Sequence, residues 1–368
     1  MKKLLALILT SCICLYAGAQ FPEGYYSAVD GQQSADAVLD ALQSCIKDHT
    51  VISYSSLDNY FTTTDSREDG TIWDIYSTCS FTMDNIYANQ SALCDGWNKE
   101  DVVPKSWFDG ATPIYSDLFH TYPSDSRMNT LRTNYLYGEV DGDNGTGITN
   151  DPDGHALGKL GTNTFPGYSG KVFEPADEYK GDLARTYFYM VARYRDNNFT
   201  NGNGAYVFTS NKTNLTSFAT ELFIKWHRQD PVSQKEVDRN NAIYSIQNNR
   251  NPFIDYPYLA EYIWGERAGE TVDMSLLLSS SDSAFVLGQS NGLKDDTPQP
   301  IAQDTITRTL YLHANGIWDL DGADHFAVWH WQTGKDGAWS DWMTWLGGSI
   351  WMVDISRYGG SSPPDRGR

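Results

Sequence analysis

Apolar positions along this chain repeat with helical spacing in its first two thirds and with strand spacing near its end. Val38, Leu42, Cys45 and Ile46 form one stripe of a helix that Ser34 caps and that runs to about His49. From Lys180, the residues Leu183, Tyr187, Met190, Val191 and Tyr194 keep the same period, and another helix covers Leu215 to His227. Ser233-Gln234-Lys235-Glu236 is a capping box, in which hydroxyl and carboxylate satisfy each other's orphan backbone donors, so a further helix runs from Glu236 to about Gln247. Residues 51 to 75, rich in Tyr, Thr and Trp, predict strands and turns. Late in the chain, Thr309-Leu310-Tyr311-Leu312, Ile317-Trp318-Asp319, Phe326 to Trp331 and Ala338-Trp339 alternate as strands do.

Composition separates these two regions. Residues 276–300 carry a Ser run, Gly, Lys-Asp-Asp and two prolines, a linker-like mixture. Beyond it lie seven of the twelve Trp, between Trp318 and Trp351, and no Glu follows Glu270. The expected organisation is a cleaved segment over 1–19, a main domain over 20–268, a linker over 269–300, a small β module over 301–360 and a polar, disordered tail over 361–368. The first segment has Lys2 and Lys3 before the apolar run Leu4 to Leu9, then Ala17-Gly18-Ala19, which is the form of a secretory signal. A second reading is lipid attachment at Cys12, which Leu9-Thr10-Ser11 precedes. Either way the chain is exported, to the medium, the periplasm or the outer surface, and no later segment is apolar enough to span a membrane.

Charge narrows the chemistry. Lys and Arg total 27 against 47 Asp and Glu, a formal charge of -20, which falls to -22 when the two signal lysines are removed. Such a chain cannot hold nucleic acid by overall phosphate neutralisation, so any such chemistry rests on a metal ion or a local basic patch. After cleavage three cysteines remain. Cys79 with Cys94 would close a short loop, and Cys45, on an apolar helical face, reads as a buried free thiol.

The strongest constellation is Asn98-Lys99-Glu100-Asp101-Val102-Val103-Pro104-Lys105-Ser106-Trp107-Phe108, then Ser116-Asp117-Leu118-Phe119-His120, then Asn129-Thr130-Leu131-Arg132-Thr133-Asn134. An acidic pair sits in a β-type run, and Asn-x-x-Arg follows at helical spacing. One carboxylate and one amide oxygen suffice for Mg²⁺, which keeps its waters and takes further oxygens from a phosphate. Solvated acids beside a turn are the plainer reading of the same residues.

This order of residues resembles the bacterial endonuclease I family, secreted nucleases of the ββα-metal (His-Me finger) class. Further matches are Phe173-Glu174-Pro175, Lys180 to Arg185, Asp230 to Ser233, Arg239-Asn240 and Gln247 to Asp255, so the likeness spans roughly residues 21–266. The resemblance implies an α+β fold, with a ββα-metal finger core among helices, followed here by a small all-β sandwich. It implies Glu100 and Asn129 as ligands of one Mg²⁺ and DNA or RNA as substrate; a monomer is expected.

The family's general-base histidine stands where this chain has Asp101. A free Asp has a pKa of about 3.9 against about 6.5 for His, and loss of a general base typically costs about 10² to 10⁴ in rate. Asp101 therefore reads either as a working substitute or as an extra metal ligand in an impaired copy. His120 is the nearest candidate for a replacement base, but a structural role, orienting its neighbours by hydrogen bonds, is the favoured reading. Arg132, Arg185 and Arg250 suit either a phosphate or a carboxylate, and Arg132 ranks first for its closeness to Asn129.

Three other signals carry less. Asp141-Gly142-Asp143-Asn144-Gly145 fails the EF-hand pattern and reads as a solvated loop, and the Asn-Arg-Asn-Pro run at 249–252 reads as a turn after a helix. The Trp-rich end resembles small starch-binding-like β modules, where Trp faces would stack on sugar rings or form the module's own core. The rival to a nuclease is therefore an exported nucleic-acid- or glycan-binding protein.

Overall fold

The computed structural model describes residues 21–87, 91–141, 151, 153–282, 285, 287, 288 and 292, and beyond them the backbone of five strands. The expected signal over 1–19 with Cys12, the Gly-Asp loop from 142 onward and the tail over 361–368 lie outside the described residues. The chain divides into two compact units, Met1–Thr297 and Pro298–Arg368.

The first unit is mixed α and β. Ser34 caps α1 (Ala35–Ile46) by accepting from Ala37 N, and Val38, Leu39, Leu42 and Ile46 bury its apolar face. Residues 51–75 depart from the expected strands, since Tyr54–Tyr60 winds as a 3-10 helix into the short α2 (Phe61–Thr64). Here Leu57 and Phe61 turn into the core, and that burial outweighs the β preference of Tyr and Thr. Strand β1 (Trp97–Asp101) pairs antiparallel with β2 (Thr121–Asp125), with Glu100 opposite Tyr122, and β2 runs straight into α3 (Ser126–Arg132). Asp125 makes that sharp junction by accepting from the backbone of Arg127 and Met128, and from Cys94 N at 2.8 Å. The predicted disulfide joins Cys79 to Cys94 beside it, with the Cα atoms 5.3 Å apart, while Cys45 is free and only half-buried.

A second sheet places β5 (Lys171–Pro175) between β3 (Leu136–Tyr137) and β4 (Gly158–Thr162). After these strands come α4 (Lys180–Arg193), α5 (Ser217–Gln229), α6 (Gln234–Gln247), α7 (Pro252–Asp255) and α8 (Leu259–Trp264), with α4 packed on α1, α5 and α7, α6 on α2 and α7, and α8 on α1 and α5. Nearly all of α4 is buried, and Ser233 with Glu236 closes the predicted capping box of α6. Asn248 ends α6 in the left-handed conformation, as the turn reading of Asn-Arg-Asn-Pro requires.

The expected linker begins too early. Val272 and Leu277 are buried in the main core, Val272 exchanges backbone hydrogen bonds with Gly31 and Gln32, and Leu278 packs with Val232, Val237 and Ile254. Residues 271–278 thus belong to the first unit, held by apolar burial that their Ser-rich surroundings mask. In the second unit the described backbone is all strand: β6 (Thr309–His313), β10 (Ile350–Asp354) and β9 (Thr344–Gly347) form one antiparallel sheet, and β7 (Trp329–His330) pairs with β8 (Ala338–Trp339).

Candidate active site

The ribbon β1–β2 and helix α3 bring the sequence-predicted residues together. Side chains alternate along β1, so Asn98 and Glu100 project from one face and Lys99 and Asp101 from the other. On the first face, the Asn129 amide donates to Asn98 Oδ1 at 2.8 Å and to the Lys99 carbonyl at 3.0 Å. That orientation turns Asn129 Oδ1 away from the strand backbone, and among the described residues nothing donates to it.

Glu100 is held just as firmly. Its Oε1 accepts from the Tyr76 hydroxyl at 2.9 Å and lies 3.1 Å from Arg132 Nη1, while Tyr76 shares a further hydrogen bond with the Tyr137 hydroxyl. Oε2 has no donor among the described residues. Burial pushes the Glu100 carboxyl up in pKa, and the Arg132 guanidinium and the Tyr76 hydroxyl pull it back. The acid and the amide therefore share one side of β1, and each keeps an oxygen uncommitted. Hard oxygens in this number suit a divalent cation such as Mg²⁺.

Arg132 is 1% exposed and spends its two terminal nitrogens inside the protein, on the carbonyls of Asp101, Val102 and Thr133, with its guanidinium 4.9 Å over Tyr137 and its Nε buried without a hydrogen-bond partner among the described residues. It acts as the clamp of Glu100 rather than as an open phosphate site. Arg185 and Arg250 likewise hold carboxylates: Arg185 forks onto Glu236 at 2.6 and 2.8 Å, and Arg250 onto Asp255 at 2.7 and 2.8 Å.

Asp101 lies on the opposite face from Glu100, which rules against its joining Glu100 and Asn129 as an extra ligand. Its Oδ1 is buried without a hydrogen-bond partner. Burial, with the Glu100 charge adding, raises its pKa to about 7 against the lowering pull of Lys105, Arg132 and Lys99. The expectation of a weakly basic free carboxylate is thereby corrected, because this carboxyl titrates near the ordinary histidine value of about 6.5.

His120 takes the structural role, and its reading as a replacement base is corrected. It is fully buried, its Nε2 donates to the Ile114 carbonyl at 2.6 Å, and its ring meets Phe108 edge-on at 5.9 Å. Burial lowers its pKa, so the ring is a neutral strut and not a base open to water. Asn98, Tyr76 and Tyr137 were not legible as site residues. Alternation within β1 offered a signal for Asn98, whereas the tyrosines arrive from 24 and 37 positions away with no local pattern.

Two antiparallel strands feeding directly into a helix, with an acid on the first strand and an amide on the helix, define a ββα finger. The sequence profile of the family described as Endonuclease I matches residues 36–258, and the chain belongs to that family. It is 34% identical over 255 residues to an extracellular ribonuclease of Bacillus amyloliquefaciens, covering 66% of this chain and 78% of that protein. It is 26% identical over 142 residues to Endonuclease-1 of Buchnera aphidicola subsp. Acyrthosiphon pisum, covering 38% of this chain and 45% of that protein. An extracellular deoxyribonuclease of Aeromonas hydrophila is 28% identical over 139 residues, covering 38% of this chain and 49% of that protein.

Proposed function

We propose that the chain is an exported, metal-dependent endonuclease that hydrolyses phosphodiester bonds in RNA, DNA or both. The observation that carries this reading is that Glu100 and Asn129 share one side of β1 and each keeps an oxygen uncommitted among the described residues. A divalent ion such as Mg²⁺ held there would neutralise phosphate charge and stabilise the leaving oxygen. The rest falls to the chain's own residues. Tyr76 and Arg132 keep Glu100 in one rotamer before substrate arrives, and Asn98 does the same for Asn129. Asp101, which ends β1 at the family's base position, would take the proton of a water that attacks from the strand's end, as that water's oxygen bonds to phosphorus and the ester oxygen leaves. The broader match to ribonucleases makes RNA an expected substrate.

For the second unit we propose a small β sandwich that binds glycan. Its register sets Trp351 opposite Trp345 and Trp329 opposite Trp339.

Purified protein incubated with plasmid DNA and with RNA, with Mg²⁺ or with chelator, tests the nuclease reading. Cleavage that chelator abolishes and that Glu100→Ala removes supports it. Unchanged cleavage by Glu100→Ala refutes the ligand assignment. An inert native chain whose Asp101→His variant cuts instead supports the binding-protein alternative.

A further inference from the structure

The face of β1 opposite Glu100 carries a row of rings and cations. Tyr54 and Tyr115 stack with centroids 3.8 Å apart and planes 10° from parallel. Lys99 Nζ lies 4.8 Å from the Tyr54 ring and 5.2 Å from the Tyr87 ring, and Lys105 Nζ lies 5.4 Å from the Tyr115 ring. The order is therefore Tyr87, Lys99, Tyr54, Tyr115, Lys105. Asp101 borders this row, since its charge acts on Tyr54 and the charges of Lys99 and Lys105 act on it.

Two members differ from the rest. Lys99 is committed to Asp58 at 2.7 Å, but Lys105 is exposed and has no carboxylate within ion-pair distance among the described residues. Lys105 thus keeps its ammonium open beside the candidate site, in a chain with 47 acids against 27 Lys and Arg. Tyr87 is 49% exposed and sits at φ 52°, a left-handed conformation that bulky residues rarely adopt and that tends to persist at functional positions. Its backbone N–H is tied to the Trp97 carbonyl at 2.9 Å, and its hydroxyl accepts from Lys99 at 2.5 Å, so the exposed ring is fixed in place.

An exposed, immobilised ring takes an unpaired base by stacking, and an open ammonium takes a phosphate. The two together fit a single strand better than a duplex, whose bases already stack on each other. We infer that the Tyr87–Lys105 row is the contact surface for unpaired nucleotides of the substrate strand, with Tyr87 stacking a base and Lys105 meeting a phosphate. This deepens the nuclease reading and rests on it for the word substrate.

The test is binding without cleavage. A short fluorescein-labelled single strand and its duplex are titrated with the full chain in chelator, over a series of salt concentrations, by fluorescence anisotropy. The native chain should prefer the single strand, and Tyr87→Ala should weaken that binding about 5- to 100-fold, the range of one lost base stack. Lys105→Gln should reduce the salt slope by about 0.7, one phosphate contact on a single strand. Both side chains are exposed, so unchanged thermal midpoints check that the variants fold. Equal affinity for single strand and duplex, or variants that bind like the native chain, overturns the inference. Because no cleavage is measured, selective binding by a chain that never cuts upholds the surface while the nuclease reading fails.

Discussion

Replacing Arg132 by Met removes the charge that compensates a buried carboxylate. Arg132 Nη1 stands 3.1 Å from Glu100 Oε1, and both side chains are almost wholly buried, at 1% and 3% exposure. Breaking a buried pair from one side costs about 3–5 kcal/mol, because the remaining charge has lost its partner without regaining water. For a unit of this size that is a fall of about 6–20 °C in thermal midpoint. Glu100→Gln is gentler, since the amide oxygen still accepts from Tyr76 and Arg132 keeps its three carbonyls, so about 1–2 kcal/mol is expected. The double variant should then be more stable than the sum of the two losses implies, by about 2 kcal/mol. Urea unfolding followed by the helical signal in circular dichroism reads this out, because the described helices all lie in the first unit. Additivity to within about 0.5 kcal/mol would refute the claim that Arg132 exists to hold Glu100 charged.

Three further outcomes follow from the same contacts. Replacing Cys79 and Cys94 by Ala opens a cross-link across 15 positions and should cost about 3 kcal/mol in urea unfolding; an unchanged midpoint would show that the Asp125 junction stands without it. Asp117 is buried, which alone would raise its pKa, but the His49 charge and donors from Gln247, Phe119 and Tyr189 outweigh burial and hold it below the usual carboxylate range. Its stabilisation is therefore present above the unfolded value of about 3.9 and lost as pH falls through the lower folded value, so Asp117→Asn should cost about 2–4 kcal/mol at pH 7 and the gap should close in strong acid. A gap independent of pH would contradict that. Asn129→Ala should weaken divalent-ion binding by about 10²-fold or more while costing only about 1 kcal/mol in stability, as calorimetry and urea midpoints together would show.

Local signals proved the most readable. The cap at Ser34, the box at Ser233 and the Asn-x-x-Arg spacing each involve residues within one or two turns, so the starts of α1 and α6 and the helical spacing within α3 were legible, though α1 stops at Ile46, short of His49. The pairing of Glu100 with Asn129 on one side of β1 was legible through the family resemblance. What surrounds it was not: Tyr76, Tyr137 and the buried faces of Arg132 and His120 depend on contacts between distant segments. Whether an arginine meets phosphate or carboxylate is decided by partners such as Glu236, 51 positions from Arg185. The basicity of Asp101 was misjudged for the same reason, because its shift comes from burial that only the folded chain supplies. Residues 51–75 show the converse, with strand-like composition overridden by the burial of Leu57 and Phe61.

The claim at the centre is that Glu100 and Asn129 together grip one divalent ion. Titrating Mn²⁺ into the full chain under electron paramagnetic resonance measures this without any cleavage. A single tight equivalent in the native chain, lost in both Glu100→Gln and Asn129→Ala, is the expected result. A tight equivalent that survives either substitution would contradict the account.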